Sequence, residues 1–161
     1  MAETRAELAR RGYVAHSPTI MKLGTAAGLA ALSEDPAKLL ERPDESWAEA
    51  FHADVAGDRR AQNLTRSPDA LFAAVRDGAR TVAVGVVTFG HGWAGVHGMR
   101  TAPDQRKRGH ARRILSAFGR AAAARGVERF ALQVTEDNPA RGLYRGAGFT
   151  LAWRYRYWTE G

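Results

Sequence analysis

Met99-Arg-Thr-Ala-Pro-Asp-Gln-Arg-Lys-Arg-Gly-His-Ala-Arg-Arg113 reads as the end of a strand, a short basic turn and the first turn of a helix. Arg106-x-x-Gly109-x-Ala111 falls where backbone amides point outward at the helix start. Those first N–H groups have no intrahelical acceptor and sit at the positive end of the helix dipole, so the turn suits an anion. Arg106, Lys107, Arg108, Arg112 and Arg113 add cations to it, and Gly109 carries no side chain to obstruct a bulky ligand.

The rest of the composition bounds what that anion serves. A chain of 161 residues, 45% apolar and 25% charged, is enough for one well-cored globular domain. A net charge of +7 and a pI near 10.5 suit an anionic ligand, a nucleic acid or an acidic surface without choosing among them. Arginine dominates the positive side, which favours planar, forked recognition of phosphate. No cysteine is present, so disulfides and thiol catalysis are excluded. The charged head, Met1 to Arg11, does not read as a signal peptide, and no apolar run approaches the ~20 residues of a membrane span. A cytoplasmic protein with no membrane partner is the expectation.

Outward from the basic turn, the periodicity resolves into elements. Thr4 to Arg11 reads as a helix stopped by Gly12. Tyr13 to Leu23 reads as extended, interrupted at Ser17-Pro18, and Gly24 to Glu34 as an alanine-rich linker with helical tendency. Lys38 to Arg42 forms a short strand. Asp44 then caps a helix bearing Trp47, Phe51 and Val55, which Gly57 ends, and Asp58 to Arg66 makes a weaker helix. Leu71–Arg76, the Asp77-Gly78 turn and Arg80–Phe89 form a hairpin, and Gly90-His91-Gly92 returns the chain along Trp93–Thr101. Val82, Val84 and Val86 alternate with Ala83, Gly85 and Val87, so this strand is expected to be buried on both faces. Past the turn, Ala111, Ile114, Leu115, Phe118, Ala121 and Ala122 make one apolar helical stripe. Phe130, Leu132 and Val134 make the next strand. Asn138-Pro139 opens another helix, and Phe149 to Trp158 alternates as a last strand.

The meander, the Arg106-x-x-Gly109-x-Ala111 turn and the ending Asn138-Pro-Ala-Arg-Gly-Leu-Tyr144-Arg-Gly-Ala-Gly-Phe149 together resemble the GNAT family of acetyl-CoA-dependent N-acetyltransferases, over residues 37 to 158. The resemblance implies an α/β (α+β) fold: a mixed, mostly antiparallel sheet of six to seven strands with helices on both faces. That sheet would splay between the strand ending at Thr101 and the strand ending at Thr135. Residues 37–161 would be the acetyltransferase domain, with residues 1–36 as a head segment. By the same resemblance Met99 and Thr101 contact the pantetheine arm through their backbone. Arg106, Lys107, Arg108, Gly109, His110, Ala111 and Arg112 surround the pyrophosphate, Asn138 lies beside the arm, and Tyr144 protonates the leaving thiolate. No metal is implied.

Two departures from the family pattern have consequences. Asn138 precedes Tyr144 by six residues where the family shows seven, which leaves Asp137 as an alternative to Asn138. Only one strand follows Gly148-Phe149 where the family has two. The head supplies a candidate for the missing one. Arg11-Gly12-Tyr13-Val14 through Thr19-Ile-Met-Lys-Leu23 echoes Ala147-Gly148-Phe149-Thr150 through Tyr155-Arg-Tyr-Trp158, a degenerate half-repeat that descent and chance explain equally. The head strand is expected to fill the vacant sheet position, within its own chain or swapped between the partners of a homodimer.

Attack of an amine on a thioester needs a base as well as an acid. Many members of the family place a glutamate where Gly95 stands. His97, two residues on and therefore on the same strand face, is the candidate base, with Glu136 or water as rivals. His52 could face the acceptor from the Trp47–Phe51 helix, whose two aromatics belong to the core. The function expected is transfer of acetyl from acetyl-CoA to a primary amine by direct attack in a ternary complex. A non-catalytic CoA-binding or regulatory domain is the alternative. A nucleic-acid-binding module is the third reading; against it, Trp93, Phe118 and Phe149 fall on core faces and do not interleave with the basic run.

Overall fold

A computed structural model describes residues 2–53 and 67–161. The expected end of the Asp44-capped helix near Val55 and Gly57, and the weaker helix from Asp58 to Arg66, lie outside the described residues. The elements are α1 (Ala2–Arg10), β1 (Tyr13–Thr25), α2 (Ala26–Ala30), β2 (Lys38–Leu40), α3 (Glu45–His52), β3 (Ala70–Asp77), β4 (Arg80–Gly90), β5 (Trp93–Thr101), a 3-10 turn (Pro103–Gln105), α4 (His110–Ala124), β6 (Arg129–Thr135), α5 (Arg141–Gly146) and β7 (Thr150–Glu160). Among these, no helix is long and apolar enough to cross a membrane.

Seven strands form one sheet in the order β2-β3-β4-β5-β6-β1-β7, antiparallel throughout except for β5 and β6. The turns were written locally. Gly78 has a φ of +57°, and His91 and Gly92 have φ of +51° and +74°, the left-handed pair that matches the twist of a tight hairpin. β4 is buried on both faces, as its unbroken run of small and branched residues requires. Its Val84 and Val86 join Trp47, Phe51, Phe72 and Ala74 under α3. Its Ala83 and Val87 join the larger core under α4, with Ile114, Leu115, Phe118, Phe130 and Phe149. Asp44 caps α3 by accepting from the Trp47 backbone N–H at 2.9 Å, and the Trp47 indole donates to Ala73 O at 2.9 Å.

The head strand lies between β6 and β7 of its own chain. Ile20 pairs with Val134 on one side and Arg154 on the other, so β1 occupies the sheet position that the single C-terminal strand leaves vacant. The Ser17-Pro18 interruption appears as a bulge, not a break. Ser17 takes a φ of +48° and the register with β7 shifts between His16 and Thr19. The strand runs on to Thr25, whose Oγ1 accepts from Gly28 N at 3.2 Å and starts α2. α2 packs on α4 at a distance only glycine allows: a Cβ on Gly119 would lie 2.4 Å from Ala30 N. Ser116 Oγ sits 2.8 Å from Ala30 O, and Arg113 holds the following segment through Asp35 at 2.8 Å. Arg113 therefore serves the fold, although the sequence places it among the cations of the basic turn.

Candidate active site

β5 and β6 pair in parallel only from Trp93 to Val96 against Arg129 to Leu132. Beyond Val96 the two strands part, and the β6-side backbone of residues 97–101 is left without a strand. The parting coincides with a bulge in β5. Val84 and Val86 of β4 face Arg100 and His97, so three steps of β5 match two of β4, and Gly98 takes a φ of +55°. The extra residue sorts the side chains. Met99 turns toward α4, its sulfur against Gly85, where a Cβ would lie 2.7 Å away. His97 and Arg100 turn to the α3 face, where the Arg100 guanidinium lies 4.6 Å from the centre of the Phe51 ring.

The gap opens into a cleft of ≈ 790 Å³ lined by Met99, Arg100, Thr101, Gln105, Arg106, Lys107, Gly109, His110, Ala111 and Arg112 on one side and Pro139, Ala140, Leu143 and Tyr144 on the other. α4 starts at this cleft with no side-chain cap among the described residues, so its first amides lack a described side-chain partner. Gly109 holds a φ of +83° and Lys107 one of +61°. A Cβ on Gly109 would meet nothing, so its backbone conformation, not crowding, requires glycine there. Arg106 Nε donates to Thr101 O at 3.3 Å and Arg112 Nε to Leu32 O at 3.4 Å, which fixes both guanidinium groups at the rim.

One polar atom here lacks a partner. His110 Nδ1 is buried and unbonded among the described residues, while Nε2 lies 3.3 Å from the Gln105 carboxamide. Burial first, then the neighbouring Arg113 and Arg108, holds this histidine below the usual imidazole range, so the ring is neutral at pH 7. With the Gln105 carboxamide turned over, Nε2 accepts and Nδ1 carries the proton, a donor in want of an acceptor. An oxyanion on the turn supplies that acceptor. The pyrophosphate of a nucleotide-type coenzyme therefore fits the residues present. Gln105 was not marked by the sequence reading; a buried glutamine in a polar turn has no periodic signature.

Tyr144 faces the cleft from α5. It is 8% exposed, its ring meets Phe149 edge-on at 6.0 Å, and no described group bonds its hydroxyl. Burial pushes the phenol up from its usual range, so it remains a proton donor at neutral pH.

Three of the sequence candidates do not line the cleft. Arg108 lies outside the lining. Asn138 turns its carboxamide onto its own chain, Oδ1 accepting from Ala140 N at 2.8 Å. That Asx turn holds Pro139 and Ala140 outside the helix, which begins at Arg141, where the sequence pattern places Pro139 in its first turn. His97 lies on the α3 face, its Nε2 3.0 Å from Thr88 Oγ1, and desolvation lowers its pKa. On that face a second pocket of ≈ 490 Å³, with Ser46, Glu49 and Arg80 in its wall, meets the cleft at Arg100 and Thr101. Trp47 and Phe51 are buried core residues, as expected, while His52 is exposed, edge-on to Phe51 at 5.4 Å.

A family model described as "Probable histone acetyltransferase Rv0428c C-terminal" matches residues 7–158. This span takes in the head strand β1 and the rest of the sheet as far as Trp158 in β7. The chain belongs to the GNAT family. Solved structures share the fold at low identity. A functionally unknown conserved protein from Staphylococcus epidermidis superposes with a TM-score of 0.77 at 14% identity, over 100% of this chain and 68% of that one. A GCN5-related N-acetyltransferase from Kribbella flavida gives 0.70 at 19% identity, over 97% of this chain and 63% of that one. AAC(6')-Iy, in complex with the bisubstrate analogue CoA-S-monomethyl-acetylneamine, gives 0.61 at 12% identity, over 88% of this chain and 98% of that one. The GNAT chain thus spans about two thirds of the length of the first two structures. No curated protein sequence matches it.

Proposed function

We propose that this GNAT chain transfers acetyl from acetyl-CoA to a primary amine by direct attack within a ternary complex. The observation that carries the reading is the shared cleft: an uncapped helix start ringed by Arg106, Lys107 and Arg112 and a buried tyrosine hydroxyl open onto the same space. The complex of AAC(6')-Iy with an analogue joining CoA to an acetylated amine supports it by likeness of fold.

The amides of residues 109–111, the rim cations and His110 Nδ1 would hold the pyrophosphate. The pantetheine arm would lie along residues 97–101 as an added strand, which supplies the hydrogen bonds β6 withholds. That arrangement brings the thioester to the bulge at Gly98 and Met99, where a backbone N–H polarises its carbonyl. The amine approaches from the α3 face, through the pocket that meets the cleft at Arg100 and Thr101. On that face His97, exposed but with its pKa lowered by desolvation, would take the proton the ammonium intermediate sheds. As the carbon–sulfur bond breaks, Tyr144 gives its proton to the thiolate. A thiol with a pKa of ~8.5 is the stronger acid, but the buried phenol is re-formed from solvent once the thiol leaves. No covalent acyl-enzyme is invoked, because the chain has no cysteine to carry one.

The test is calorimetry with acetyl-CoA followed by a free-thiol release assay over a panel of amines. Binding with turnover on an amine is the expected result. Binding without turnover on any amine would assign the chain to the regulatory alternative, and binding of an oligonucleotide without CoA would overturn the reading.

A further inference from the structure

Behind α5, away from the cleft, lies a smaller pocket of ≈ 380 Å³ with Lys22, Glu136, Asp137, Asn138, Arg141 and Arg145 in its wall. Lys22 is the unexpected member. It stands in β1 opposite Leu132 and two residues from Ile20, on the face of the sheet that α5 covers, and is 8% exposed. A leucine or methionine would fill the same space. Lysine instead carries an ammonium out from the core to the pocket, which it shares with Arg141 and Arg145, one helical turn apart on α5. Burial, then those two guanidinium groups, lowers the lysine's pKa.

The acids in the wall do not resolve this crowding. Glu136 pairs with Arg154 at 3.1 Å, and its backbone carbonyl accepts from Arg141 Nη1 at 2.6 Å. Asp137 forms no ion pair with any of the three cations among the described residues. Three cations thus converge on one concave space with a single free carboxylate beside them. Like charges brought together without a partner cost stability, and a bound anion relieves that cost.

We propose that this pocket is a second anion site, taking a phosphate-class oxyanion between Lys22, Arg141 and Arg145. Such a ligand would tie α5 to β1, and α5 also carries Tyr144, which lines the cleft. The oxyanion could be free phosphate or the 3′-phosphate of a coenzyme reaching around α5. Only the second source rests on the CoA reading.

Calorimetry with inorganic phosphate tests the site on the wild-type chain and on Lys22→Met, the pair Arg141→Gln/Arg145→Gln, and the pair Arg106→Gln/Arg112→Gln. Lys22→Met keeps the apolar stem and removes the charge. The Arg141/Arg145 pair is exposed, so it keeps the test decisive if Lys22→Met fails to fold by circular dichroism. The expected result is phosphate binding that falls at least ~10-fold with either change behind α5 and survives loss of the turn cations. Absence of binding to the wild type, or binding lost only with Arg106 and Arg112, overturns the proposal. Comparing CoA with 3′-dephospho-CoA then identifies the source. If Lys22→Met weakens CoA alone, the site reads the 3′-phosphate. If it weakens neither while phosphate binding is lost, the site reads free phosphate. Failure of CoA to bind at all sinks the acetyl-transfer reading and leaves the phosphate result standing.

Discussion

Replacing Tyr144 with phenylalanine removes one hydroxyl and nothing else. The ring keeps its edge contact with Phe149 at 6.0 Å and its place in the core, and the lost oxygen has no described hydrogen-bond partner. Stability at pH 7 should therefore change by no more than about 1 kcal/mol. Catalysis should change far more. A positioned general acid contributes about 10²–10⁴-fold, so kcat should fall by at least about 100-fold, or about 2.7 kcal/mol at 1.36 kcal/mol per decade. Affinity for CoA should stay within about twofold, since in the proposed mechanism the phenol would act on the sulfur only as it leaves. The pH dependence carries a second signature. Burial raises the phenol above its ordinary value of 10.0, so the fold prefers the neutral form. The stability this preference contributes is complete below pH 10 and is lost as pH rises through the folded value. The phenylalanine variant has no such group, so it should gain on the wild type under alkaline denaturation. Thiol release at saturating acceptor, isothermal calorimetry with CoA, and denaturant melts at pH 8 and pH 11 measure the three quantities. Unchanged turnover with unchanged CoA affinity would remove Tyr144 from the mechanism, and a parallel loss of both would make it a wall of the cleft.

Three further outcomes are expected. His97→Asn should lower kcat/KM by about 10²-fold near neutrality and abolish the acid limb of its pH profile. Desolvation holds His97 below its ordinary 6.5, so the wild-type limb falls below that pH, and a limb that persists in the variant would move the base elsewhere. Gly109→Ala should cost about 1–2 kcal/mol in denaturant melts, because a φ of +83° strains any L side chain although the Cβ meets nothing. The same variant should bind CoA more weakly by calorimetry, and equal affinity would separate the turn's conformation from its binding role. Gly119→Ala should destabilise by about 1–3 kcal/mol, since its Cβ would lie 2.4 Å from the Ala30 backbone nitrogen, which cannot swing away. A melt within error of wild type would contradict the close packing of α2 on α4.

The chain alone determined whatever depends on neighbouring residues. Gly78 and His91-Gly92 wrote the meander, because left-handed backbone at these positions is a local preference. Asp44 and Gly109 marked two helix starts for the same reason, and the spacing of Ile114, Leu115, Phe118 and Ala122 fixed which face of α4 is buried. The turn from Arg106 to Arg112 was legible as a helix start crowded with cations before any strand was placed.

Tertiary structure decided what depends on distant pairing. One residue of bulge at Gly98 sends Met99 into the cleft and His97 to the opposite face, and strict alternation along the strand does not reveal it. Asn138 carries the expected side chain, yet its carboxamide finds a backbone N–H two residues away and turns from the cleft. Arg113 looks like one more cation of the turn until Asp35 claims it from across the fold. The position of β1 between β6 and β7 joins residues more than a hundred apart, a choice made by hydrogen bonds and shared burial and not by any local propensity. That choice also puts Lys22 beneath α5. A lysine between Met21 and Leu23 is only an oddity in the sequence; once the sheet closes, its stem is buried and its ammonium reaches a pocket walled by two arginines.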